Sequence, residues 1–391
     1  MFITAHKSNF SFLDPQRTLG FLGLWTVCCW LLFHVARDQE VGGKVPYLAP
    51  IHSRELLSGE GPPHPSSPTA STAPTTPGST TEVTNLLEAE PYIDRSPKLS
   101  DAALASKLQP QMPNLPIVYW QENKNKAMLI NSTCAKFPSV FDLHFNNKYW
   151  QEVHTSNGTF HLYGAYLDVR TTNRLGPTVR VLGMIDRLEP KVKTHCQLWF
   201  SDQKEPVISK VLEYKYIWYK KWGNYKQGLF QPYLLACQMP KSHWGKVPSS
   251  VSIVENPCDM ATSNLRVIYN KPAEGEGKKK FAVCVKGLDF PEDDLSVRLT
   301  EWIELLTSLG ADKIFLYNLE VHPNVTKVLE HYTEQGKVDV TPISLPGHQP
   351  NLPVLQHMYL KSKLNNKRQN ELIPYNDCLY RNMYRYVKLA V

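Results

Sequence analysis

The sequence predicts an α/β protein: a β-rich antiparallel half followed by a parallel sheet built as β-α-β-α-β-α. Two observations carry that expectation. Between Leu115 and Asn270, short β-branched and aromatic runs recur between turns rich in Gly, Pro, Asn and Asp. From Lys279 onward, three apolar strand-like runs alternate with amphipathic helical stretches, about 25–32 residues apart, the spacing of right-handed parallel crossovers. A third observation sets both behind a membrane: a transmembrane helix and a disordered stalk come first.

The N-terminal elements follow from composition. Residues 1–17 read as a cytosolic tail and 18–36 as a transmembrane signal anchor. Leu19 to Ala36 carries no Asp, Glu, Lys or Arg and is bracketed by Arg17 and Arg37, enough to cross a hydrocarbon core of about 30 Å. The stretch Phe33 to Arg37 lacks the small-residue cleavage pattern of a signal peptide. Lys7 and Arg17 before the segment balance Arg37 and Lys44 after it, so flanking charge leaves the orientation open. Residues 37–112 read as a stalk. Pro, Ser and Thr dominate Gly61 to Thr84, which leaves almost nothing apolar to bury and makes an extended spacer.

Composition excludes several classes. With 391 residues and 11% aromatics, the chain is neither a disulfide-stapled miniprotein nor disordered throughout. The net charge of +7 is spread thinly, its densest runs, Lys278 to Lys280 and Lys361 to Arg368, reading as loops, which argues against nucleic acid as a partner. Six cysteines lie beyond the anchor (Cys134, Cys196, Cys237, Cys258, Cys284, Cys378), with no C-x-x-C pair. That spacing argues against zinc and for disulfides in an oxidising lumen, with the pairing left open; separate buried thiols are the other reading. Asn131, Asn157 and Asn324 begin N-x-Ser/Thr glycosylation acceptors.

The β-rich lumenal region spans 113–275, and its alternation, imperfect from Phe160 to Leu167, suggests an antiparallel sandwich. The aromatic stretch Tyr214 to Tyr225 reads as a half-buried strand, with sugar stacking as the rival. In 279–391, Phe281 to Val285 reads as a buried parallel strand. Pro291 opens a helix with Glu292, Asp293 and Asp294 at its positive end; Leu295, Leu299, Trp302, Ile303 and Leu306 form its face, and Gly310 closes it. Lys313 to Tyr317 is the second strand, Pro323 to Gly336 the second helix, and Val338 to Ile343 the third strand. A third helix runs from about Gln369 to the chain end, with Leu372, Tyr375, Leu379, Met383 and Tyr386 on one side.

Three segments of this half resemble glycosyltransferase family 92: Arg298 to Tyr317, Val328 to Tyr332, and Ile373 to Asn382. The most telling pieces are the E-W-I-E helix that contains Glu301 and the N-D-C-x-x-R helix formed by Asn376, Asp377, Cys378 and Arg381. The resemblance implies a GT-A-like fold, here incomplete; a UDP-sugar donor, with galactose the expected sugar; a glycan or glycoprotein acceptor; manganese; and a Golgi location with a lumenal C-terminus. It also implies an Asp-x-Asp-Glu motif after the last helix. That motif does not occur in this sequence, which reads as C-terminally truncated, with catalytic residues unknown and manganese not expected to bind.

Ligands of open parallel sheets sit at the carboxyl ends of strands. Lys286 is therefore the candidate for donor phosphate, and Tyr317 and Asn318 for uracil or ribose. Asp377 and Arg381, four apart on one helix, read as a structural pair with Asn376 beside them. The alternative to a transferase is a non-catalytic membrane-anchored protein that binds a glycan or a partner.

Overall fold

The computed structural model describes residues 99–125, 134–218 and 229–391. The anchor, most of the stalk, Asn131 and Tyr219 to Tyr225 lie outside them. Among the described residues no helix is long and apolar enough to cross a membrane.

The last part of the expected stalk is folded. Helix α1 (Asp101–Leu108) has Ser100 as N-cap, whose hydroxyl accepts from the Ala103 amide at 3.3 Å. Its Ala, Leu and Lys content favours helix. Helix α2 (Ile117–Glu122) follows, and Tyr119 packs edge-on to Phe137, which packs edge-on to Trp199.

The β-rich region is a barrel-like closed sheet, not the expected sandwich and not a GT-A layer. Its strands are β1 (Phe145–Asn147), β2 (Trp150–Thr155), β3 (Gly158–Asp168), β4 (Thr178–Ile185), β5 (His195–Trp199), β6 (Val207–Tyr216), β7 (Gln231–Gln238), β8 (Ser250–Val254) and β9 (Leu265–Ile268). The order is β1-β2-β3-β4-β7-β6-β5-β8-β9, and β9 returns to pair in parallel with β3, Ala165 opposite Val267. Pairing of β9 with β3 closes the edge that a sandwich would leave there, and β1 keeps a free edge of three residues. The interior holds Phe160, Leu162, Leu167, Val181, Leu235 and Ile253, with the Cys196–Cys237 disulfide among them. Tyr214 and Tyr216 pack against that interior, so the described part of the aromatic stretch is not a sugar platform.

One irregularity in β3 explains its imperfect alternation. The register with β4 shifts between Leu162 and Gly164, inserting an extra residue. Phe160, Leu162, Ala165 and Leu167 then face the interior, while Tyr163 and Tyr166 face a second core outside the barrel.

That second core joins the barrel to a parallel sheet of β10 (Lys279–Phe290), β11 (Lys313–Val321), β12 (Val338–Pro342) and β13 (Tyr386–Ala390), in the order β12-β11-β10-β13. Helix α3 (Ser296–Ser308) and α4 (Pro323–Glu334) cover one face through Ile303, Leu306, Val325, Leu329 and Tyr332 against Ile314, Leu316 and Val338. Both helices end at a left-handed glycine, Gly310 and Gly336, as the sequence indicates. Helices α5 (Pro353–Ser362), α6 (Leu364–Asn370) and α7 (Leu372–Asn382) follow β12, with Ile373 and Cys378 in the core shared with the barrel.

Three expectations change here. The third helix does not reach the chain end: it stops at Asn382, and Tyr386–Ala390 pairs with β10 as a strand. Helix α3 starts at Ser296, because Asp294 accepts from the Ser296 amide at 3.1 Å and ends the preceding loop. The basic run from Lys361 to Arg368 lies on α5 and α6 rather than in a loop, and Lys279 and Lys280 open β10. The open cysteine pairing resolves into Cys134–Cys258, Cys196–Cys237 and Cys284–Cys378, which use all six cysteines beyond the anchor.

Candidate functional site

Two polar constellations flank the parallel sheet, and they differ in kind. The first is sealed between α7, the barrel and β11. Asp377 is fully buried and lies four residues before Arg381, so one face of α7 presents both. Arg381 Nη2 donates to Asp377 Oδ1 at 2.7 Å and Nε donates to Oδ2 at 3.1 Å, a two-point pairing of guanidinium and carboxyl. Tyr166 from β3 and Tyr317 from β11 donate their hydroxyls to Oδ1 and Oδ2. Arg381 Nη2 also donates to Asn114 Oδ1 at 2.6 Å.

Burial, and after it the Asp377 charge, push the phenols of Tyr166 and Tyr317 well above their usual range, which keeps both as donors. Glycine at 164 leaves room for the contact, since a Cβ there would stand 2.5 Å from the Tyr166 hydroxyl. Cys378, next to Asp377, is tied to Cys284 on β10. This knot fastens barrel, sheet and helix together, and both oxygens of the buried Asp377 carboxyl are satisfied within it.

The second constellation lines a cleft at the carboxyl end of the sheet. Gly287 and Asp289 reach it from β10, Leu319 from β11, Ile343 to Leu345 from beyond β12, and Lys367 and Glu371 from the helical side. The register of β10 against β11 shifts between Cys284 and Gly287, an insertion that re-aims the strand where it meets the cleft. Asp289 is 3% exposed. Its Oδ1 meets His357 Nδ1 at 3.1 Å, Lys367 Nζ stands 4.0 Å from Oδ2, and Oδ2 makes no hydrogen bond.

The donor candidates from sequence do not assemble in this cleft as a set. Lys286 Nζ donates to Glu371 Oε1 at 2.9 Å on its border. Tyr317 is 2% exposed and committed to Asp377, a correction to its reading as a base or ribose contact. Asn318 lies between Tyr317 and Leu319, which face the barrel-side core, so strand alternation turns it toward α3 and α4; its Oδ1 is buried without a partner. Glu301 is exposed on α3, and Asn376 Nδ2 donates back to Leu372 O at 2.8 Å within α7. Sequence reasoning passed over Asp289, His357 and Lys367. The strand-end rule would have found Asp289 had the first strand not been ended at Val285.

Of the glycosylation acceptors, Asn324 is exposed near the start of α4 and its Nδ2 donates to Asp294 Oδ2 at 2.7 Å. Asn157 is half-buried in the β2–β3 turn, its Oδ1 accepting from the Lys191 amide at 2.9 Å. Manganese has no fitting donor set here: among the described residues no three of His, Cys, Asp and Glu are grouped to hold a metal. Asp289 offers one carboxyl beside an imidazole and an ammonium, whereas a hard divalent cation asks for several oxygens. Asp294 spends its oxygens on Ser296 and Asn324.

The parallel sheet is ordered third, second, first, fourth, and its cleft lies at the carboxyl ends of the strands, where ligands of open parallel sheets sit. Residues 279–390, from the first residue of β10 to the last of β13, match the family model for glycosyltransferase family 92. Comparison with curated proteins finds no match.

Proposed function

We propose that this protein is a membrane-anchored Golgi glycosyltransferase whose cleft at the end of β10 takes a UDP-sugar, with galactose as the sugar and a glycan or glycoprotein as acceptor. The observation that carries the reading is the coincidence of the family 92 segment with a parallel layer whose carboxyl ends open on that cleft. In this reading β10, flanked by β11 and β13, is the strand that presents the donor. Transfer joins an acceptor hydroxyl oxygen to the anomeric carbon as the bond from that carbon to the phosphate oxygen breaks. UDP leaves with the bonding electrons, and the hydroxyl proton passes to water. Manganese belongs to the reading through the family resemblance, and no step here is assigned to it.

Three features support the lumenal setting. The three disulfides need an oxidising compartment to form and persist. Asn324 exposes a glycosylation acceptor, and residues 18–36 have the composition of an anchor. The test incubates the full chain with UDP-galactose, manganese and fucosylated N-glycans and reads the product mass. Gain of one hexose supports the assignment. Glycan binding without turnover, and with no dependence on donor, would replace it with the non-catalytic reading.

A further inference from the structure

The loop that follows β12 is a strap laid across the barrel, and histidines line its seat. Gly347 N donates to Asn146 Oδ1 at 2.7 Å, Asn147 Nδ2 donates to Leu345 O at 2.9 Å, and Ser344 Oγ donates to Asn147 Oδ1 at 2.7 Å. Both asparagines sit on β1, which is three residues long and pairs with β2 alone among the described residues. The strap presses on Phe230: a Cβ on Gly347 would stand 2.1 Å from that ring. Phe230 meets both His161 of β3 and His348 of the strap, with ring centres 4.9 and 5.1 Å away. His161 is 4% exposed, and its Nδ1 is buried without a hydrogen bond. Glu152 stands opposite it across β2 and β3, with Oε2 3.7 Å from Nδ1. That same oxygen accepts from Asn146 Nδ2 at 3.3 Å, while Oε1 meets His154 Nε2 at 2.8 Å. One carboxyl thus joins the buried imidazole to an asparagine that holds the strap.

We infer that acidification releases the strap from Ile343 to Gln349, with His161 as the sensor and Glu152 and Asn146 as the relay. A protonated His161 is a buried cation whose Nδ1–H has no acceptor within hydrogen-bond reach. Its nearest acceptor, Glu152 Oε2, closes the gap only by leaving Asn146, which loosens β1 and with it both asparagine contacts to the strap. Among the influences on His161, burial is the largest and disfavours the cation. Glu152 and Asp186, which lies beyond β4, favour the cation, while His154 on β2 and His348 on the strap oppose it. Lifting the strap returns His161 to water, so the open form takes up a proton near the ordinary 6.5 and the closed form only at lower pH. Ile343 to Leu345 also wall the cleft, whose enclosed volume of about 20 Å³ holds about one water, so a larger ligand needs this wall to move. Acid release belongs to the strap itself and goes beyond the transferase reading.

Amide exchange of the full chain, followed by mass spectrometry at about pH 7.5 and 5.5 and corrected for the intrinsic effect of pH on exchange, reads the strap directly. Uptake of one proton by the open form raises the open fraction by up to about tenfold across that interval. Peptides covering 343–349 should therefore lose about threefold to tenfold in protection, while those of β4 and β7 keep theirs. His161→Phe, which keeps an aromatic ring beside Phe230 without a charge, should abolish that response. Asn146→Ala should leave the strap weakly protected at both pH values, and it serves as the comparison if His161→Phe does not fold. Equal strap protection at the two pH values in wild type, or an equal loss in β4 and β7, overturns the inference. So does a full acid response in folded His161→Phe or Asn146→Ala. The readout needs no sugar donor, so every outcome leaves the transferase reading to its own test.

Discussion

Replacing Asp377 by Ala should destabilise the folded unit more than any other single change to the buried polar groups of α7. The side chain is fully buried and accepts from Arg381 at two points and from two tyrosines. Its removal strands the Arg381 guanidinium, whose side chain is 15% exposed, and leaves two phenol hydroxyls to find new partners. Breaking a buried ion pair from one side costs about 3–5 kcal/mol. At roughly 2 °C per kcal/mol for a unit of this size, the melting temperature should fall by about 6–10 °C. Calorimetry under oxidising conditions measures it, with the disulfides intact in both proteins. The double variant Asp377→Leu/Arg381→Met removes both charges and should recover much of the loss, because apolar replacements of a whole buried pair are often nearly neutral. A single variant within about 1 kcal/mol of wild type, or a double variant no better than the single, would refute the claim that the pair is sealed and mutually dependent.

Other outcomes follow from the same structure. Replacing Cys284 and Cys378 by Ser opens a link between residues 94 apart and should cost about 4–5 kcal/mol on the chain-entropy account, read from the denaturant midpoint. Gly164→Ala puts a methyl group 2.5 Å from the Tyr166 hydroxyl and should cost about 1–3 kcal/mol by displacing that donor from Asp377. Burial pushes the His161 imidazole below its ordinary 6.5, with Glu152 and Asp186 opposing and His154 and His348 adding to the shift. A base whose folded value is depressed stabilises the fold above the unfolded value and loses that contribution as pH falls. Stability should therefore decline on acidification below about pH 6.5, and His161→Phe should flatten that slope in melts across pH 5 to 7. Treatment with a glycan-releasing amidase should shift the mobility of protein made in a secretory host, and Asn324→Gln should remove part of that shift.

How much was legible depended on the distance over which a feature is determined. Helices α3 and α4 could be read because Val325, Leu329 and Tyr332 repeat at helical spacing and because Gly310 and Gly336 adopt the positive φ that ends a helix. Asp377 and Arg381 are four apart, so their pairing was also visible locally. Helix α5 was missed for a physical reason: Val354, Leu355 and Met358 are exposed while Gln356 is buried, so its pattern does not mark an inward face. Barrel closure depends on β3 meeting β9 about a hundred residues later, a non-local pairing that local alternation cannot show. Tyr317 was misjudged on the same ground, since its partner on α7 lies 60 residues away.

The two buried carboxyls beside the parallel sheet show which kind of site a sequence conceals. Asp377 meets a guanidinium and two hydroxyls, so both oxygens are satisfied within the chain. Asp289 is buried almost as deeply, yet only Oδ1 is bonded. If burial alone marked function, the two would be equivalent. What separates them is the second oxygen of Asp289, which takes no hydrogen bond and faces the Lys367 ammonium at 4.0 Å. Asp377 therefore ties barrel, sheet and helix into one unit, whereas Asp289 joins β10 to α5 and α6 through His357 and Lys367.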